Sequence, residues 1–132
     1  MAALLDTSVV VRYLTGDPAD LAEWAAGIID TEDDLHITDV AIAETAYVLT
    51  TVYRISREIA VDHLIALIQR ENISPLGLDK GVVLNGLLLC RPSGRVSFAD
   101  AMVWAAARSS GTHVVYSFDQ RFPSDGLKVR RP

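Results

Sequence analysis

Apolar residues recur along this chain in two rhythms, short continuous runs and stretches spaced by three and four, and the rhythms alternate from one end to the other. Residues 2–5 are small or apolar and end at Asp6, which reads as a short buried strand closed by a carboxylate. Val9, Val10, Val11, Tyr13 and Leu14 follow at helical density over 7–15, and Gly16-Asp17-Pro18 stops that helix. Proline at a first helical position starts the next one, about 18–30, with Leu21, Trp24, Ala25 and Ile28 at helical spacing. After the acidic turn at 31–34, residues 35–37 read as a second strand, and Thr38 or Asp39 caps a helix running to about Tyr53.

Ser56 opens another helix, on which Ile59, His63, Ala66 and Leu67 share one side. Residues 73–78 read as a strand with Pro75 at an edge position. A very apolar helix over 79–90 is followed by the loop 91–95 and by a helix over 97–109 that Gly111 stops. Residues 113–118 are a β-branched and aromatic strand, and a terminal strand lies near 127–130. Strands separated by helices are βαβ units, so the predicted fold class is α/β, a single domain over 1–132 with a largely parallel sheet covered on both faces.

Composition narrows the function. Half of the 132 residues are hydrophobic, enough for one domain that buries roughly two-thirds of its unfolded surface. The one cysteine, Cys90, allows neither an internal disulfide nor a cysteine zinc set, and it fits a reducing cytosol. There is no signal-peptide pattern at the N-terminus and no apolar run near the ~18 residues of a membrane span. The expectation is a cytoplasmic protein that does not enter membranes. A net charge of −5 argues against a generic basic coat for nucleic acid. It leaves room for a nucleic-acid enzyme, because two divalent cations bound by acids would nearly neutralise the chain. Ten of the twelve basic residues are arginine, the side chain that grips phosphate at two points.

Most of the seventeen acids lie in turns or on polar helix faces, and four do not. Glu44 has Val40, Ala41, Tyr47 and Val48 three and four positions away, and Asp100 has Val96, Ser97, Val103 and Trp104. Asp6 and Asp119 each follow a strand, at the edge where sites form in parallel sheets. Each has a plainer reading. Asp6 and Asp119 can be local caps, Asp100 completes a capping box with Ser97, and Glu44 can hold its head in water at the rim of an amphipathic face. Were they to converge, carboxylates ~4 Å apart would repel by roughly 4 kcal/mol at an effective dielectric near 20, and would bind protons or cations. An all-oxygen set selects Mg²⁺ or Mn²⁺, and such an ion acidifies water for attack on a phosphodiester.

The segments LLDTSVVVRYL, IAETAYVL, SFADAMVWAAA and VVYSFDQRF, in this order and spacing, resemble the PIN-domain nucleases, and in particular the VapC-type toxins of bacterial toxin–antitoxin pairs. The resemblance implies a PIN-like three-layer α/β/α sandwich around a central, largely parallel sheet, and an endoribonuclease using one or two Mg²⁺ or Mn²⁺ ions. It maps the metal-binding, catalytic acids onto Asp6, Glu44, Asp100 and Asp119. Thr7 or Ser8 would steady the first carboxylate, and Ser117 matches a hydroxyl residue two positions before the last. Ser97 stands where many relatives carry a further aspartate. A homodimer and a cognate VapB-type antitoxin are also implied. Leu21, Trp24 and Ile28 are groove candidates for that antitoxin, or else ordinary core residues. Arg12, Arg91, Arg95 and Arg121 are candidates for gripping RNA, two of which are expected to matter.

Competing readings lack their residues. A receiver domain needs an acidic pair after the first strand and a lysine after a late one, and a haloacid-dehalogenase-type phosphatase needs an aspartate where Ser8 stands. P-loop, serine-hydrolase and zinc-protease motifs are absent, and His36, His63 and His113 are scattered. The remaining alternative is a degenerate PIN domain that only binds protein or RNA, and the presence of all four acids speaks against it.

Overall fold

The computed structural model describes residues 1–132. Its elements follow in the order β1 (Ala3–Leu4), α1 (Thr7–Thr15), α2 (Ala19–Ile29), β2 (Leu35–Ile37), α3 (Asp39–Thr51), α4 (Arg57–Ile68), β3 (Ile73–Pro75), α5 (Lys80–Cys90), α6 (Phe98–Ser110), β4 (Val114–Tyr116) and β5 (Lys128–Arg130). Every predicted helix and strand is present, and the helix ends have local causes. Thr38, Ser56, Asp79 and Ser97 each cap a helix by accepting a backbone N–H, whereas Gly16 and Gly111 close α1 and α6 in the left-handed conformation that glycine adopts without strain. Residues 76–78, expected to extend β3, turn away instead. Leu76 N–H still reaches Ile37 C=O at 2.9 Å, and Gly77, at φ +70°, then reverses the chain.

All strand pairings are parallel, as the βαβ pattern predicts. They form two ladders: β1-β2-β3, with Leu4 opposite His36 and Ile37 opposite Pro75, and β4-β5, with Tyr116 opposite Arg130. β2 is central in the first ladder, and its Leu35 and Ile37 are buried. β1 is an edge strand, which corrects the expectation that residues 2–6 are buried: Ala3 and Leu4 are exposed and only Leu5 enters the core.

The core gathers Ile29, Leu35, Ile37, Ile42, Leu64, Ile68, Ile73 and Leu87 between the three-stranded ladder and the helices. α4 turns its Ala60, Val61, Leu64, Leu67 and Ile68 inward, so of the stripe Ile59, His63, Ala66 and Leu67 only Leu67 is buried. α3 touches α1, α4 and α6, and so stands between the helices that begin at Asp6 and at Ser97. Arg57 fixes the loop before α6. Its guanidinium donates to Cys90 C=O and to Val96 C=O, the latter at 2.6 Å, and lies 4.0 Å from the centre of the Phe98 ring. No helix is long and apolar enough to cross a membrane.

Candidate active site

Asp6 leaves β1 in extended conformation and caps α1, its Oδ2 accepting Ser8 N–H at 3.1 Å and Ser8 Oγ–H at 2.5 Å. The Ser8 hydroxyl and amide hold this carboxyl below the usual carboxylate range. Capping occupies part of one carboxylate's roughly four acceptor sites. The group also opens onto a cavity of about 420 Å³ that it lines with Thr7, Ser8, Arg12 and Glu44, and onto another of about 280 Å³ shared with Thr38, Val40 and Glu44.

Glu44 therefore meets Asp6, though its setting differs from the one its neighbours suggested. α3 buries Ala41, Ile42, Thr45, Ala46 and Leu49, while Glu44 is on the solvent side. Its apolar neighbours Val40 and Tyr47 are themselves 71% and 61% exposed. The face that looked like core is an exposed apolar rim around a carboxylate.

Asp100 is the third residue of α6, and its N–H donates to Ser97 Oγ at 3.0 Å, the cap side of the anticipated capping box. Asp119 follows β4. Its N–H donates to Ser117 Oγ at 3.0 Å, and its Oδ1 accepts Arg121 N–H at 2.8 Å and lies 3.6 Å from Arg121 Nε. The two carboxyls act on each other's charge and have opposite shifts. Burial, then the charge of Asp119, push Asp100 up; the Arg121 amide, foremost, holds Asp119 down.

The four acids thus come together two by two. No group of three acids, histidines or cysteines surrounds one ion position. The strand ends that carry Asp6 and Asp119 lie in different ladders, β1 pairing with β2 and β4 with β5. Each pair still suits a hard cation, because Mg²⁺ is usually held by one or two carboxylates, with water and substrate phosphate completing its shell.

The fold and these acid-bearing strand ends agree with a family comparison in which the PIN-domain model matches residues 3–124. The chain belongs to the PIN-domain family. PIN domains are in general metal-dependent nucleases, and nuclease-type function follows from that membership. No curated protein matches the chain.

Among the arginines of this PIN domain, Arg12 lines the cavity of Asp6 and Glu44, and Arg121 borders Asp119. Arg91 is engaged elsewhere: it grips both oxygens of Asp62 at 2.8 and 2.9 Å, so a phosphate would have to displace that pair. Arg95 is exposed on the loop before α6 and stands beside none of the four acids in any contact found. On α2, plain core packing is overturned for Leu21 and Trp24. Both are exposed, Trp24 at 63%, and they line a groove of about 280 Å³ with Ser8, Val9, Arg12 and Ala25, whereas Ile28 is half-buried against the core.

Sequence reasoning passed over Arg130 and Arg131. With Tyr116, Ser117, Phe118 and Pro132 they line a cavity of about 510 Å³ at the ends of β4 and β5. The available signal is the aromatic pair Tyr116 and Phe118 flanking Ser117, which in the sequence counts equally as strand propensity.

Proposed function

We propose that this chain is a Mg²⁺- or Mn²⁺-dependent endoribonuclease and the toxin of a toxin–antitoxin pair, acting in the cytoplasm as a homodimer. The observation that carries the nuclease chemistry is the convergence of the acids in two pairs, Asp6 with Glu44 and Asp100 with Asp119, at strand ends and on the flanking helices. The choice of RNA and of an antitoxin partner rests on the resemblance of the four motif segments to VapC-type toxins.

Asp100 and Asp119 would hold one ion, and Asp6 with Glu44 a second. A hard divalent cation supplies Lewis acidity toward the phosphodiester and a more acidic water. The chain's own residues supply the rest. Ser8 and Ser117 orient the Asp6 and Asp119 segments through the hydrogen bonds described above, and Ser97 anchors the first turn carrying Asp100. Arg121 offsets the charge of Asp119 and stands ready for a phosphate oxygen, and Arg12 offers the same at the other pair.

The groove of Leu21, Trp24 and Val9 beside Arg12 suits an amphipathic antitoxin segment, with apolar side chains in the groove and an acid on Arg12. The deciding experiment incubates purified protein with cellular RNA and Mg²⁺ or Mn²⁺, with a chelator control and the variants Asp6→Asn, Glu44→Gln, Asp100→Asn and Asp119→Asn. Cleavage that needs metal and falls in every variant is expected. Chelator-resistant cleavage, or full activity in the Asp6 and Asp100 variants, overturns the mechanism. RNA binding without any metal-dependent cleavage would return the chain to a binding module. For the partner, co-expression with the neighbouring reading frame is expected to give a complex and relieve toxicity.

A further inference from the structure

We propose that the cavity at the ends of β4 and β5 is a nucleobase-stacking subsite that grips single-stranded RNA beside the acidic centre; this rests on the ribonuclease reading and extends it to how the substrate is held. The cavity of about 510 Å³ falls within the ~300–1,000 Å³ of sites for small ligands. Tyr116 and Phe118 line it and are 79% and 87% exposed, the two most exposed aromatic side chains of the protein. Both line the same cavity, Tyr116 from the last residue of β4 and Phe118 from the bend two residues beyond it. One further hydrogen bond follows the end of β4, Ser117 N–H donating to Arg130 C=O at 3.2 Å, and it ties the segment between the two rings to β5. Two exposed flat rings lining one cavity offer a platform on which unstacked bases lie.

Charge selects the same occupant. Arg130 lies directly across the ladder from Tyr116, and neither it nor Arg131 belongs to any of the ion pairs of the chain. The guanidinium of Arg130, and that of Arg131, which donates to backbone carbonyls alone, stand beside two rings in a protein of net charge −5 and form a local match for phosphate and base together. The cavity is also joined to the acids. Arg131 Nη2 donates to the carbonyls of Asp119 and Gln120, both at 3.3 Å. Phe118 immediately precedes Asp119, so the cavity adjoins the segment that carries this acid. Duplex RNA keeps its bases inside the helix and cannot use the platform.

The test measures binding of the whole chain, in chelator so that the strand stays intact, to a fluorescein-labelled mixed-sequence single-stranded RNA and to the same sequence as a duplex. Phe118→Ala is expected to raise Kd for the single strand about tenfold, the fold-change that corresponds to about 1.4 kcal/mol, with the duplex unaffected. Phe118→Trp is expected to keep the affinity, and Arg130→Gln to flatten the salt dependence by about one phosphate contact. Single-strand affinity unchanged in both Phe118→Ala and Tyr116→Ala overturns the subsite, as does equal weakening for the duplex. So does a change in sedimentation in place of RNA affinity, which would give the face to a second copy of the chain. A wild-type protein that cleaves RNA with Mn²⁺ while Phe118→Ala matches it in affinity removes the subsite alone. A wild-type protein that neither binds nor cleaves RNA removes the ribonuclease reading and the subsite together.

Discussion

Asp100 is held against its own charge, and that tension separates what this residue does for stability from what it does for chemistry. Burial and Asp119 raise its folded pKa above the unfolded value, so the ionised form is the less stable one in the fold. Stability therefore falls as pH rises from the unfolded value of about 3.9 through the raised folded value. Asp100→Asn imitates the protonated acid, and is expected to raise Tm by about 1–3 °C at pH 7, a gain that fades below about pH 4. The same variant is expected to lower RNA cleavage by roughly a hundredfold or more. Thermal melts across pH, beside cleavage rates, check both halves. Asp6 and Asp119 have the opposite sign, since their folded values are lowered: the stability they add is present above about pH 4 and is lost as pH falls through those lowered values.

At the level of elements, the positions of α5 and α6 decide where Asp100 stands, and two contacts govern them. Arg57 joins the start of α4 to the end of α5 and the entry of α6 through two carbonyls and the Phe98 ring. Arg57→Ala is expected to cost about 2 kcal/mol in urea unfolding, because both carbonyls lose a charged donor, and Arg57→Lys recovers little without the planar fork. Gly86 lets α5 approach α6: a Cβ there would stand 3.0 Å from Ala101 C=O and 3.5 Å from Trp104 Cε3. Gly86→Val is expected to cost about 1–3 kcal/mol by overpacking, measurable in the same unfolding experiment. Neither contact shows in the sequence. Arg57 reads as a surface residue in a helix's first turn and Gly86 as a weak point in an apolar helix, since both depend on elements distant along the chain.

Across the whole molecule, if the paired acids bind divalent cations as proposed, folded stability is expected to rise with the ion, because the unfolded chain scatters them. Mn²⁺ at a hundred times its Kd is expected to stabilise the fold by about 2.7 kcal/mol, and a double variant Asp6→Asn, Asp100→Asn to lose that response in a melting experiment without RNA. Much of this design was legible in one dimension. Helix and strand order, the caps at Thr38, Ser56 and Ser97, and the four unusual acids follow from periodicity and hydrogen-bonding chemistry that act within a few residues. Apolar spacing could not tell which apolar faces stay outside, since a side chain's burial is set by what packs on it from elsewhere. Hence Val40, Tyr47, Trp24 and Phe118 looked like core or strand residues and stand in solvent. The sequence by itself determined an α/β chain with acids after its first and fourth strands, because those are local facts of composition and order. Only the tertiary structure decided that Asp6 and Glu44 line one cavity and that Asp100 and Asp119 act on each other's charge, because the packing of elements distant along the chain, and no local preference, sets which side chains become neighbours.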